Sequence, residues 1–229
     1  MSFKGQTTAV TAILVTGLTV GAVASVYVWG SPLLEKRQAQ ATVSNVEQKV
    51  TGLYSEILDV KESGEGTLTP YPMSFSGSET EIRRIEINSD KDYIEITVSV
   101  SGASPYAGRW SFVHGNTLQN ISLASGAQTG AYAIKGRDSP GVVLVKSEGQ
   151  SASLVTYRIE FRNMYASTPS GPQLEKIDII SQGGEEAAGG TTIRIRNEGT
   201  KIDSGSEAIT LPSGRKVKRV RTLISLDLE

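Results

Sequence analysis

The chain has 229 residues, 23 of them basic and 24 acidic, for a net charge of −1, so it lacks the basic excess that marks nucleic-acid binders. It has no cysteine, which leaves its stability to packing rather than cross-links, and one histidine, which cannot by itself make a zinc site. Glycine is abundant at 24 residues while Phe and Trp number only 4 and 2, a composition suited to short strands joined by turns.

Residues 1–5 (MSFKG) form a short polar head with one basic side chain, Lys4. From Gln6 to Leu34 there is no charged side chain. An uncharged apolar run of 18 or more residues is a candidate transmembrane helix, and Thr7 to Gly30 built as helix spans ~36 Å, enough to cross a bilayer. Tyr27 and Trp29 stand near its far end, where a membrane–water boundary favours aromatic rings. Lys4 before the run directs the residues after it outward, although Lys36 and Arg37 at the other end reduce the asymmetry. Within the run, Gly17 and Gly21 form a G-x-x-x-G pair, and Ala9, Thr16, Ala24 and Ser25 add further small side chains. Small residues four apart let two helix backbones approach closely, so Gly17 and Gly21 are the candidate helix-packing positions.

Gly30-Ser31-Pro32 predicts a break or kink, because proline lacks the amide that a helix interior needs. Beyond it Val43, Val46, Val50, Leu53, Tyr54, Ile57 and Leu58 follow the spacing of a one-sided helix, with Glu47, Gln48, Lys49, Ser55 and Glu56 on the other face. Gly52 weakens this helix slightly, and Ser63-Gly64-Glu65-Gly66 ends it. The two halves together predict a rod of ~80 Å over residues 7–61.

After Pro70 the period changes to two. Strands are predicted at Glu81–Ile87, Tyr93–Val100, Arg109–His114, Leu118–Leu123, Ala131–Lys135, Val142–Lys146, Ser153–Arg162, Leu174–Ile180, Thr191–Arg196, Ala208–Leu211 and Lys216–Leu228. Turn residues separate them, as at Asn88-Ser89-Asp90 and Pro169-Ser170-Gly171-Pro172. Many short strands at regular spacing argue for an antiparallel sandwich or barrel. The fold class is therefore α+β: a long N-terminal helix, hydrophobic then amphipathic, packed on a C-terminal antiparallel β-sandwich-like domain in a lollipop arrangement. The glycine-rich Gln182–Gly190 reads as a mobile loop. The basic run Arg215, Lys216, Lys218, Arg219 and Arg221 reads as an edge strand charged against aggregation, with an acidic partner surface as the alternative.

No catalytic constellation is present: His114 lacks a cysteine, there is no Gly-x-Ser-x-Gly elbow, and Asp90-Lys91-Asp92 lacks the glycine and glutamate of a calcium loop. The expectation is no enzyme activity, no cofactor and no metal. Asn120-Ile121-Ser122 is an acceptor sequon, so Asn120 is a candidate glycan site if the domain is outside the cell.

Lys4-Gly5-Gln6 stands directly against the apolar run, and the helix continues in amphipathic form beyond it. This arrangement resembles a class III, type IV prepilin-like signal, and more closely the archaeal pilins. Bacterial members of that family usually carry glutamate at the fifth mature position. Here that position is Val10, a departure that archaeal members often share. The resemblance implies that a prepilin peptidase cuts between Gly5 and Gln6, with Lys4 as the basic residue before the cut, and that the apolar segment is retained. It implies a cleaved signal over residues 1–5, a long helix over 6–62 with a membrane or filament core over 6–30 and an amphipathic part over 31–62, and a β-rich extracellular head over 70–229. The protein would be a single-pass membrane protein before assembly and part of a surface filament after it. Its partners would be other pilins, the membrane, the peptidase and a surface layer or external surface, with no nucleic acid.

Two other readings stay open at this point. An anchored, stator-like accessory protein of an archaellum-type machine would keep the helix in the membrane and present a sandwich to the surface layer. A secreted protein would be cut by conventional signal peptidase after Ala22-Val23-Ala24, although the apolar run continues through Val26, Tyr27, Val28 and Trp29.

Overall fold

The computed structural model describes residues 4–75, 80–100, 108–115, 132–148, 154–203, 209–210 and 216–229. A single helix, α1 (Lys4–Ser63), precedes a two-sheet β domain. The strands are β1 (Leu68–Met73), β2 (Thr80–Asn88), β3 (Tyr93–Val100), β4 (Ser111–His114), β5 (Tyr132–Ile134), β6 (Gly141–Glu148) and β7 (Leu154–Phe161). They continue as β8 (Asn163–Thr168), β9 (Gly171–Ser181), β10 (Glu186–Ala187), β11 (Thr191–Asp203), β12 (Ile209–Thr210) and β13 (Lys216–Leu228). One sheet runs β1-β11-β13-β9-β8-β5 with β12 beside β13; the other runs β10-β2-β3-β7-β6-β4. The protein is α+β, with a long helix joined to a sandwich of mostly antiparallel strands.

Alternation places the core. In β3, Ile94, Ile96, Val98 and Val100 are buried, while Tyr93, Glu95, Thr97 and Ser99 lie on the other face. Val155, Tyr157, Ile159 and Phe161 of β7 and Ile193 and Ile195 of β11 do the same work in their own strands. The second half of α1 completes this core. Val43, Val46, Val50, Leu53, Tyr54 and Ile57 are buried as the spacing predicts, and Val60 joins them, while Leu58 is only partly covered. The helix touches β1, β11 and β13 of one sheet and β3 and β6 of the other. It is thus a component of the sandwich interior, and each of its fully buried side chains contributes about 1.5–3 kcal/mol of burial.

Several sequence expectations are corrected. The helix does not break at Gly30-Ser31-Pro32 but runs through Pro32. Pro32 removes one backbone donor, and the surrounding turns carry no packed neighbours that a local adjustment would disturb. Three strands are additional. β1 contains Pro70 and Pro72, and it sits at a sheet edge, where prolines at alternate positions leave the ladder to β11 intact. A single residue, Arg162, separates β7 from β8, so the chain changes sheets there. β10 lies inside the expected loop Gln182–Gly190 and pairs Glu186 and Ala187 with Glu86 and Ile85 of β2. β11 extends beyond Arg196 to Asp203 through an irregularity between Asn197 and Thr200, where Gly199 takes φ +97°.

Among the described strands two pairings are parallel: β13 with β9, and β5 with β8. β13 is therefore an interior strand between β11 and β9, not a charged edge. Its arginines are paired. Arg219 Nε donates to Asp203 at 2.7 Å, and Arg221 reaches both Asp203 and Asp178 at 2.9 Å. The strand predicted at Leu118–Leu123 lies outside the described residues, as do Arg215 and the flanks of β5 and β12.

Candidate membrane and assembly surface

Among the described residues, the span of α1 before the sandwich has no buried side chain. Residues Thr11–Leu34 form a span long and apolar enough to cross a membrane, and none of it is buried. Ile13, Leu14, Leu18, Val23 and Val26 are all exposed, with Leu18 at 76% and Trp29 at 84%. The positions fall all round the helix. A helix apolar on every side is stable only inside a larger apolar medium, either lipid or protein. Two of its hydroxyl side chains are turned back on their own backbone. Thr19 Oγ1 donates to the Val15 carbonyl at 2.7 Å, and Ser25 Oγ donates to the Gly21 carbonyl at 2.8 Å. These hydroxyls therefore enter an apolar medium with their donors already satisfied.

Gly17 and Gly21 lie on this bare helix, and a Cβ added at either would meet no neighbour. The space beside them is open to a second helix. Lys4, Gly5 and Gln6 open the helix, whose first residue is Lys4; their side chains lie outside the described residues. Asn120 also lies outside them. His114 ends β4 and packs against Tyr54, with ring centroids 5.2 Å apart. Among the described residues no group of three or more His, Cys, Asp or Glu side chains could hold a metal ion.

The sequence reading missed the residues that root the helix in the sandwich. Asn197 Nδ2 donates to the Val60 and Lys61 carbonyls, both at 3.1 Å, and its Oδ1 accepts the Gly199 amide at 2.8 Å. It caps the last turn from a strand far away in sequence, serving carbonyls that a helix end leaves without partners. Tyr71 Oη donates to the Lys49 carbonyl at 2.7 Å and lies where a Cβ on residue 52 would be, at 2.6 Å. Gly52 is thus a docking notch for Tyr71. Tyr54 Oη accepts the Gly141 amide at 3.3 Å. Burial pushes the Tyr54 phenol above its ordinary range, so it stays a neutral hydrogen-bonding group.

On the outer face of the β2–β3–β7 sheet, the Arg158 guanidinium lies over both Tyr93, at 4.4 Å, and Trp110, at 4.7 Å. Glu95 binds it at 2.8 and 3.0 Å. At the other sheet, Lys176 pairs with Asp92 in the β2–β3 turn, and Asp92 Oδ1 accepts the Ile179 amide at 3.2 Å. Arg158 and Glu95 brace neighbouring strands of one sheet, while the Asp92 contacts to β9 tie the two sheets together.

The fold and this surface define a class: a β-sandwich protein carrying one bare apolar helix that continues without interruption into the sandwich core. The chain belongs to a protein family of unknown function, DUF7289, which matches residues 4–132. That match takes in the bare helix, the buried half of α1 and strands β1 to β4, so the helix and the first strands of the sandwich are parts of one family unit. No curated protein and no solved structure matches the chain.

Proposed function

We propose that this protein is a structural subunit of a type IV pilin-like surface filament, held in the membrane by α1 before assembly and joined to sister subunits through the same helix afterwards. The observation that carries the reading is the wholly exposed apolar span Thr11–Leu34 on a helix whose other half is sandwich core. A removable leader has no need to be continuous with the domain's interior. A load-bearing stem does, because force on the helix then passes directly into the head. Once out of lipid, the span has to cover its apolar surface again. At ~25 cal/mol per Å² a bundle of such helices gains on the order of tens of kcal/mol gross, enough to hold a polymer without covalent links. Gly17 and Gly21 supply close-approach points, and a head-to-tail contact that does not close extends as a helical filament. Lys4-Gly5-Gln6 at the helix start is the proposed processing site, and the role requires no catalysis.

Electron microscopy of material sheared from cells, labelled with an antibody to the head, tests this. Labelled thin filaments are the expected result. Label confined to the cell membrane as single particles would overturn the filament and favour an anchored accessory protein.

A further inference from the structure

Where the chain crosses from one sheet to the other, Arg162 lines a half-open cavity of about 220 Å³ beside the C-terminal end of α1. Its surroundings are unusual for a guanidinium. Nη2 donates to the Ser139 carbonyl, but Nε is buried with no hydrogen-bond partner among the described residues. Asp138 attracts it from nearby, yet Asp138 Oδ2 is committed to the Ile134 amide at 2.8 Å. Burial pulls the Arg162 pKa below the ordinary arginine range, the sign of a cation short of compensation. Lys61 lines the same cavity. Lys135 and Lys176 also line it, but they are paired with Glu175 and Asp92.

We propose that this cavity binds the carboxylate of a monosaccharide-sized sugar acid, with Arg162 on the carboxylate and Lys61 beside it. A guanidinium fork matches a carboxylate in two parallel hydrogen bonds. Glu62 and Asp138 on the wall repel a doubly charged phosphate more than a single carboxylate. Glu175 receives Lys135 and Gln173 both on Oε1, which among the described residues leaves Oε2 as an acceptor for a sugar hydroxyl. Met164 and Ile177 provide an apolar wall for the C–H face of the ring. The cavity, lined by Lys61 and Glu62, lies ~40 Å along the helix from Leu34, at the end of α1 away from the bare span, and is partly open to solvent. The site belongs to the head and stands whether or not the helix polymerises.

The chain has three methionines, so the test is methyl NMR of the full protein in detergent micelles, labelled at methionine and titrated with glucuronate, glucose and acetate. The Met164 methyl should shift saturably with glucuronate while Met73, buried in the core, stays fixed. Glucose and acetate should bind at least about tenfold more weakly, and Arg162→Gln should lose about tenfold for glucuronate. A uronate trisaccharide that binds as well as the monomer identifies the source as a polymer end, and weaker binding identifies the free acid. An unmoved Met164 methyl, glucose or acetate equal to glucuronate, or full binding by Arg162→Gln overturns the site. If Arg162→Gln does not fold, the comparison of glucuronate with glucose and acetate on the unaltered chain decides.

Discussion

Asn197 holds the end of α1 with two side-chain hydrogen bonds and sits almost wholly buried, at 3% exposure. Removing it leaves buried carbonyls without partners. Asn197→Ala should lower stability by about 2–4 kcal/mol in urea unfolding, and Asn197→Asp should not rescue it, because an ionised carboxylate donates nothing. Gly52 and Tyr71 form a second residue-level test. Gly52→Ala alone gains helix propensity but displaces the Tyr71 hydroxyl from Lys49, so little or no net stabilisation is expected. In a Tyr71→Phe background the clash is gone, and the same substitution should stabilise by about 1 kcal/mol. Asp203 supplies a pH test. Hydrogen bonds from Arg221 and then Arg219, opposed by burial, hold its carboxyl below the usual carboxylate range. Its folded pKa is depressed, so its stabilisation is fully present above the unfolded value of ~3.9 and disappears as pH falls through the folded pKa. Asp203→Asn should therefore unfold more easily than the parent at neutral pH, and the gap should narrow only below about pH 4.

At the scale of elements, α1 divides into a half that the head needs and a half that it does not touch. A chain starting at Gln38 keeps Val43 to Val60 and should fold cooperatively without detergent, as read by circular dichroism and NMR dispersion. A chain starting at Gly64 loses seven buried side chains worth about 1.5–3 kcal/mol each, which matches or exceeds the roughly 5–15 kcal/mol margin of a whole domain, and should not fold. The same elements show what the sequence made legible. The uncharged run and the 3,4-spaced valines and leucines report local periodicity, so both halves of α1 could be read directly. Alternation likewise marked β2, β3, β7 and β13. Pairing is different, since period two says which face a residue takes and not which strand lies beside it. Thus the parallel neighbours β9 and β13 were invisible, and the arginines of β13 read as edge charges because Asp178 and Asp203 are distant in sequence. β1 was hidden by its prolines. Asn197 was hidden because a cap supplied from a remote strand leaves no local signature, and the Arg162 cavity because it forms only where two sheets meet.

For the whole molecule, the governing fact is that one unbroken helix has two environments. Its distal half is enclosed by the sandwich, and its span Thr11–Leu34 has no buried residue. That division leaves an apolar surface uncovered in water, which the proposed function covers first with lipid and then with sister helices. The central claim is that the bare half is kept throughout the life of the protein. Mass spectrometry of the amino-terminus of protein taken from the cell surface tests this most directly. The account predicts a mature chain beginning at Gln6 with the apolar span intact; a chain beginning at Ser25, with most of that span discarded, would contradict it.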